Sequence, residues 1–342
     1  MDDDLAHLMA RADPAETPLD APISQRAMDD LARIMAGSVE PRRLRLRPRL
    51  RTTRWLLIPA TAALAAAAVF AVQALAPNSP TVSSALAATL PPLAARGEQV
   101  PIAEAMSEAI KALDTPAHQY PDAPKRESMH EGWYADITIG GDGTATSAVI
   151  TPQKTTFTWA EDHSAHLTVV AGESVEPAAS GGIAREVEPP EPGTVLRKET
   201  MMAGEAGIAY PEPPPADPTE LAAVLETNGW WADQADPALL VGALETLYNE
   251  WTLDRDQQKA VLEVLQSQPE FESIGTVTDR LGREGAAFVA HSADNPSMED
   301  TLVVSLETGQ VLSVEKTYVG GLPEFDGVVE APAVVSYTAW TP

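Results

Sequence analysis

Residues 42–76 read RRLRLRPRLRTTRWLLIPATAALAAAAVFAVQALA, and this stretch determines how the rest of the chain is arranged. Its first part holds seven arginines and no acidic residue: Arg42, Arg43, Arg45, Arg47, Arg49, Arg51 and Arg54. Its second part, from Trp55 to Ala76, has no ionisable side chain over 22 residues. A helix of that length is about 33 Å long, enough to cross the ~30 Å hydrocarbon core of a bilayer.

The arginines also predict the orientation of this segment. Arginines beside a span stay in the cytoplasm, and Trp55 lies where an interfacial aromatic residue is expected. We therefore expect a single-pass protein of the cytoplasmic membrane, with the N-terminus inside and the C-terminal domain outside. A buried, alanine-rich soluble helix is one alternative. A cleaved signal peptide is the other, but its apolar region is about 7–15 residues long and follows a short charged region.

The span divides the chain into four parts. Residues 1–54 form a cytoplasmic head with two short helices, and residues 55–76 form the transmembrane helix. Residues 77–96 are rich in proline, serine and alanine and are interpreted as a linker. Residues 97–342 are the extracytoplasmic domain.

Charge and cysteine content exclude several functions for the part outside the membrane. Residues 77–342 carry 13 basic and 41 acidic side chains, a net charge of −28. This excess opposes direct binding of nucleic acid, because affinity for phosphates depends on cationic contacts. The chain contains no cysteine, which excludes disulfides, thiolate catalysis and zinc sites built from cysteine.

The head carries an apolar stripe that its own forty residues cannot bury. Met28, Leu31, Ile34 and Met35 recur at helical spacing between a plausible N-cap at residue 24 and a glycine at residue 37. The stripe predicts that residues 24–36 bind another molecule, either the groove of a cytoplasmic protein such as a sigma factor or the membrane surface. The helix lacks the basic face that membrane binding favours.

The outer domain begins with a helix and then changes to strands. Residues 101–113 have apolar residues on one helical face, whereas residues 129–170 contain β-branched and aromatic runs. Gly140-Gly141-Asp142-Gly143 suits a hairpin turn. Residues 172–192 are rich in proline and glycine and predict an irregular loop.

Three amphipathic helices follow, each with a start signal. The signals are Asp217-Pro218, Asp236-Pro237 and Asp254 with Gln257. Strands are then predicted at 276–281, 286–289, 302–304 and 312–318, and a strand at 334–340 is expected to close the sheet. The predicted class is α+β, with a curved antiparallel sheet packed on amphipathic helices.

Four short motifs resemble an actinobacterial family of uncharacterised single-pass membrane proteins. The motifs are Trp159-Ala160-Glu161-Asp162, Asp217-Pro218, Asp279-Arg280-Leu281-Gly282-Arg283 and Leu306-Glu307-Thr308-Gly309-Gln310-Val311-Leu312. In the family a glycine usually follows the first motif, where this chain has His163. The resemblance covers residues 118–318. It implies the layout of a membrane-bound anti-sigma factor and a half-barrel sheet like those of lipoprotein-carrier and sigma-regulator periplasmic domains.

Few residues suggest chemistry. We expect no catalytic residue, no cofactor and no metal site, because the sequence lacks the hydrolase, nucleotide-binding and metalloprotease motifs. His163 and His166, with Asp162, form the one candidate for a metal, although spacing of three on a strand directs two rings to opposite faces. Trp230 and Trp231 could form a ligand platform, but packing at a helix end is the simpler interpretation.

Two functions remain open at this point. The first is a signalling protein whose head holds a partner such as a sigma factor while the outer domain senses the state of the envelope. The second is an envelope carrier or scaffold that binds an apolar ligand or a partner between sheet and helices.

Overall fold

The computed structural model describes residues 90–115, 120–139, 145–173, 190–228, 236–292, 294–325 and 329–341. The described residues form ten strands and four α-helices. The strands are β1 (Glu127–Ile139), β2 (Ala145–Ile150), β3 (Gln153–Trp159), β4 (Ala165–Ala171), β5 (Val195–Met201), β6 (Glu272–Thr278), β7 (Glu284–His291), β8 (Met298–Val304), β9 (Val311–Tyr318) and β10 (Ala333–Trp340). The helices are α1 (Ile102–Ala112), α2 (Pro218–Asn228), α3 (Pro237–Glu250) and α4 (Arg255–Gln266).

All ten strands belong to one curved antiparallel sheet, so the α+β class is confirmed. The strand order is β5-β4-β3-β1-β10-β9-β8-β7-β6, and β2 pairs with the far half of β1. β10 therefore lies in the middle of the sheet, whereas the sequence led us to expect it at the end. Its central position agrees with its burial. Six of its eight residues are buried, as expected for a strand that is covered on both faces.

The predicted helix starts are confirmed in atomic detail. Asp217 Oδ1 accepts hydrogen bonds from the backbone N–H groups of Thr219 and Glu220 at 2.9 and 3.0 Å. Asp236 caps α3 in the same way, and Asp254 forms a capping box with Gln257. These side chains satisfy N–H groups that have no partner inside the helix, so the chain direction changes where the sequence predicts it.

The helices cover one face of the sheet, called the inner face here. Leu240, Leu244 and Leu247 of α3 and Leu262 of α4 are completely buried against this face, together with Phe288 of β7. Burial of each such side chain is worth about 1.5–3 kcal/mol. Side chains of the helices thus fill the space above β7, β8 and β9.

The opposite, outer face is crossed by residues 90–96, called the strap here. At one end the Val334 N–H donates to the Leu90 carbonyl at 3.0 Å, and at the other end Arg96 exchanges two backbone hydrogen bonds with Thr276 of the edge strand β6. Leu93 packs between these points on the apolar patch of β6 to β9. Part of the segment interpreted as a linker is therefore part of the folded domain.

An ion pair between Arg280 and Glu315 stabilises the outer face under the strap. Arg280 Nε lies 2.6 Å from Glu315 Oε1, and its Nη2 donates to the Pro91 carbonyl at 2.7 Å. The Leu93 N–H also donates to Glu315. Because Glu315 is almost fully buried, its charge depends on these donors, which connect the strap to the sheet.

The sequence did not predict β5, an exposed edge strand with both charged and apolar residues. The predicted turn at 140–143, most of the predicted loop at 172–192, the head (1–54), the transmembrane segment (55–76) and residues 77–89 lie outside the described residues. Within the described ranges, no helix combines the length and apolarity that a membrane span requires.

Candidate ligand-binding site

Three of the four motifs lie in or beside hairpin turns at one end of the sheet. These turns follow the ends of β3, β6 and β8. The pairing registers place the three strand ends at the same end of the sheet as the start of β1 and the end of β10. We call this region the hairpin end. The corner between α3 and α4 also reaches it, since Lys125, just before β1, exchanges two backbone hydrogen bonds with Thr252.

The β6–β7 turn is held by the motif Asp279–Arg283. Asp279 Oδ1 accepts from the N–H groups of Leu281 and Arg283, and Arg283 donates from its side chain to the carbonyls of Leu312 and Trp340 at 2.8 and 2.7 Å. Asp279 is buried beneath this arginine. The motif therefore connects the turn to the start of β9 and the end of β10, which is a structural role.

The β8–β9 turn packs directly against helices α1 and α4. Gly309 adopts a φ of +73°, and a Cβ atom there would lie 2.6 Å from the Ala109 carbonyl oxygen. The Gly309 carbonyl accepts from Gln258 Nε2 at 2.9 Å, and the Thr308 carbonyl accepts from the Tyr120 hydroxyl at 2.9 Å. Only glycine fits both the backbone conformation and the contact with α1.

A cavity of about 290 Å³ opens at the hairpin end between the β8–β9 turn, the end of β10, residues 120–129 and the α3–α4 corner. Aromatic rings supply much of its wall: Tyr120, Tyr248, Trp251 and Trp340, with Val311 beside them. Their polar atoms are bonded within the protein: the Tyr248 hydroxyl donates to Gln258, Trp251 Nε1 to the Tyr210 carbonyl and Trp340 Nε1 to Asn249. The wall therefore combines aromatic rings with polar side chains, among them the Lys125 amine, which lies 3.2 Å from Glu127, and the Ser128 hydroxyl, which donates to the Asn249 carbonyl.

An open depression of about 450 Å³ adjoins this cavity and shares Tyr120 with it. Its wall carries four aspartates and one arginine: Asp114, Asp122, Asp254, Asp256 and Arg255. Arg255 lies 3.6 Å from Asp114, and Asp254 is the cap of α4. The surroundings of the aromatic cavity are therefore acidic, which favours neutral or cationic ligands over anions.

Arg126 lies beside the cavity and is held by aromatic rings rather than by a carboxylate. Its Cζ is 5.2 Å from the centre of the Trp159 ring and 5.3 Å from that of Trp251. Within the described ranges its buried Nε has no hydrogen-bond partner. Cation–π attraction to two indole rings, which themselves meet edge to face at 5.1 Å, positions this side chain.

Several buried carboxyl groups lie between the helices and the inner face. Burial raises the pKa of Glu245 on α3, against the hydrogen bond that its carboxylate accepts from Thr338 at 2.8 Å. Burial also raises the pKa of Glu250, whose two oxygens accept from the N–H groups of Ala209 and Tyr210. Burial raises the pKa of Asp300 as well, and its carboxylate forms an ion pair with Lys316.

One histidine on the inner face is half-buried, with its Nδ1 atom shielded from solvent. Burial lowers the pKa of His130 to about 4, so its ring is neutral at pH 7. No hydrogen-bond partner for its Nδ1 is found in the part of the chain that the structure describes. His130 lies opposite Trp340 on β10, next to the aromatic cavity.

The metal candidate in the β3–β4 turn is not assembled into a site. Asp162 Oδ1 accepts from the N–H and the hydroxyl of Ser164, and the His166 ring contacts Thr200 at 3.2 Å on the exposed side of β4. His163 adopts a φ of +59° and packs edge to face on Trp159. Among the described residues, no three histidine, aspartate or glutamate side chains converge as metal ligands.

The other predicted site residues lie outside the described residues. They comprise the head stripe Met28, Leu31, Ile34 and Met35, the seven arginines with Trp55, and the pair Trp230 and Trp231. The sequence predicted the helix that begins at Asp236-Pro237, but it gave no signal that Tyr120, Arg126 or Trp340 lies near the end of that helix. These residues come from chain segments far apart, and only the fold brings them together.

Comparison of the chain with protein-family models, with curated proteins and with solved structures found no match.

Proposed function

We propose that the chain is a single-pass membrane protein with a cytoplasmic N-terminus and a non-enzymatic outer domain that senses the envelope, in the manner of an anti-sigma factor. The arginine run and the uncharged 22-residue segment support the membrane anchor and its orientation. The curved sheet with helices on one face supports a half-barrel domain of the kind that the resemblance implies.

The aromatic cavity at the hairpin end is the observation that carries the sensor function. Tyr248, Trp251 and Trp340 present ring surface while their polar atoms are bonded internally. Such a wall can bind a ligand or a peptide by contact, and its Lys125 and Ser128 side chains are held by Glu127 and by the Asn249 carbonyl rather than by an acid–base partner that would activate them. Binding rather than chemistry is therefore the function that the site supports.

The strap relates this domain to the anchor. Thirteen residues (77–89) separate the end of the predicted span at Ala76 from Leu90, so the strap begins within about 50 Å of the bilayer. The strap is hydrogen-bonded to the sheet at both ends. A change in the sheet would therefore move the strap, and the chain that joins the strap to the span would transmit this movement.

The head supplies the output in this proposal. Met28, Leu31, Ile34 and Met35 form the surface that holds a cytoplasmic protein, a sigma factor in the anti-sigma layout. Neighbouring Asp29, Asp30 and Arg33 carry mixed charge, which sets the register of the contact.

Affinity capture with the full-length chain in detergent tests this proposal. The wild-type chain is expected to retain a sigma factor that mass spectrometry identifies, and Leu31→Asp with Ile34→Asp is expected to lose it. Arg26→Gln, on the polar side of the same helix and outside the charges that set the register, serves as the matched control and should retain the partner. Absence of a sigma factor from the wild-type capture, or equal capture by the double variant, would contradict the signalling function.

A carrier function is the second candidate, and the aromatic cavity is the observation that favours it. Leucines of α3 and α4 fill the space above β7 to β9, so a carried ligand would occupy the hairpin end. Trp340→Ala should then weaken ligand retention without affecting capture by the head.

A further inference from the structure

The two edges of the sheet differ in how they end. The outer edge of β6 is closed by the strap, through the two hydrogen bonds between Arg96 and Thr276. The strand β5 ends the sheet on the other side, and within the described ranges no strand pairs with its outer edge. An open edge presents unpaired backbone groups that can pair with another chain.

Exposed apolar residues concentrate at the same edge. The described part of the chain has five large hydrophobic residues with strongly exposed surfaces, and three of them belong to β5 or follow it directly. Val195 is 58% exposed, Leu196 38% and Met202 66%. The strand carries charges at residues 197–199 between these apolar positions, so its edge offers both apolar and charged contacts to another chain.

The charges on β5 are arranged so that the strand is complementary to itself. Arg197 and Glu199 lie on the inner face, opposite Val169 and Leu167 of β4, and Arg197 Nη2 is 2.7 Å from Glu199 Oε2. Lys198 lies between them on the other face. An antiparallel copy of the strand centred on residue 198 would place each arginine opposite a glutamate.

We infer that β5 pairs antiparallel with β5 of a second copy of this chain, with Lys198 on the two-fold axis. In this register Arg197 lies opposite the partner's Glu199, and Glu199 lies opposite the partner's Arg197. The registers centred on Arg197 or on Glu199 each have one like-charge pair and no opposite-charge pair. The register centred on Lys198 also has one like-charge pair, but two Arg197–Glu199 pairs offset it, so the charge pattern favours this register. The pair joins the two inner faces into one continuous surface.

The contact is small and reversible. Lys198 lies opposite the partner's Lys198 on the outer face, and a pair of seven-residue strands buries less area than a stable interface requires. Tethering both copies to one membrane would raise their effective concentration. Only that enhancement depends on the proposed function; the pairing itself does not.

Single cysteines in the cysteine-free, full-length chain test the register. Directly opposite residues have Cα atoms about 4.5–5.5 Å apart, within reach of a disulfide. Lys198→Cys in detergent with a mild oxidant is expected to give a covalent dimer. Thr200→Cys, exposed on the same face two residues later, lies about 14 Å from the partner's equivalent and should not. Equal cross-linking of the two variants, or none from Lys198→Cys, would overturn the proposal.

A charge exchange tests the contact without cross-linking. Arg197→Glu and Glu199→Arg each place like charges opposite each other, so each full-length variant should sediment as a monomer. In an equimolar mixture the glutamates of one variant face the arginines of the other, and association should return to at least the wild-type level. A mixture that associates no better than the separate variants would overturn the proposal, and misfolding of one variant is recognised from its melting curve.

Discussion

Arg283 and Asp279 form an ion pair inside the β6–β7 turn, with Arg283 Nη2 2.6 Å from Asp279 Oδ2 and the aspartate side chain fully buried. The same guanidinium donates to the carbonyls of Leu312 and Trp340, so one side chain connects β7 to β9 and β10. The motif that carries much of the resemblance is thus a structural connection at the hairpin end.

Removal of Arg283 alone should be more harmful than removal of the pair. Arg283→Met leaves the Asp279 charge buried without its partner and should lower the free energy of unfolding by about 3–5 kcal/mol. Arg283→Met with Asp279→Asn should lose less, since no uncompensated charge remains. Urea unfolding of both variants measures the difference, and equal losses would contradict the ion-pair interpretation.

The strap should contribute to the stability of the domain. A chain that begins at residue 97 loses the hydrogen bonds of residues 90–96, the burial of Leu90, worth about 1.5–3 kcal/mol, and the partial burial of Leu93. Thermal melting should show a lower transition for this chain than for one that begins at residue 88. Identical melting temperatures would show that residues 90–96 are only a linker.

Stability should depend on pH through Glu245. Burial raises the pKa of this carboxyl in the folded state, so the protonated form favours folding and its ionisation opposes it. Its contribution is complete below its usual value near 4.5 and is lost as the pH rises through the raised folded value. Glu245→Gln should therefore reduce the decline in unfolding free energy above pH 4.5.

The matched control for this measurement is Glu270→Gln, which removes the same charge from an exposed position. It should leave the pH dependence close to that of the wild-type chain. A pH dependence that is identical in all three proteins would contradict a role for Glu245.

His163 should tolerate glycine better than a β-branched residue. Its φ of +59° lies in the left-handed region, which glycine adopts readily and histidine more often than most residues. His163→Gly should change the unfolding free energy by less than about 1 kcal/mol, whereas His163→Val should destabilise by about 1–2 kcal/mol. Chemical denaturation of both variants measures this, and equal stability of the two would contradict the assigned backbone strain.

The sequence predicted those features that local chemistry specifies. Capping aspartates such as Asp236 and Asp254 give the helix starts, because they satisfy backbone groups within a few residues. Alternating patterns gave most strands. The strand β5 was missed because an exposed edge needs no apolar alternation. The central place of β10 was missed because one of its two neighbours, β1, lies more than a hundred residues earlier in the chain.

The candidate site depends still more on tertiary structure. Tyr120, Tyr248 and Trp340 meet at the hairpin end only because β10 lies between β1 and β9 and because α3 ends above β1. Each of these residues taken alone indicates core packing. The strap was hidden for a similar reason, since its hydrogen bonds come from backbone groups and from Arg280, which lies far along the sequence.

The membrane topology is the central claim, and reporter fusions to the full-length chain test it most directly. Alkaline phosphatase fused after Pro342 should be active. A fluorescent protein that folds only in the cytoplasm should be bright when it is fused before Met1 and dark when it is fused after Pro342. Replacement of the seven arginines of residues 42–54 by glutamine should disturb this pattern, because their charge sets the orientation. A bright fluorescent fusion together with inactive phosphatase at the C-terminus would contradict the account.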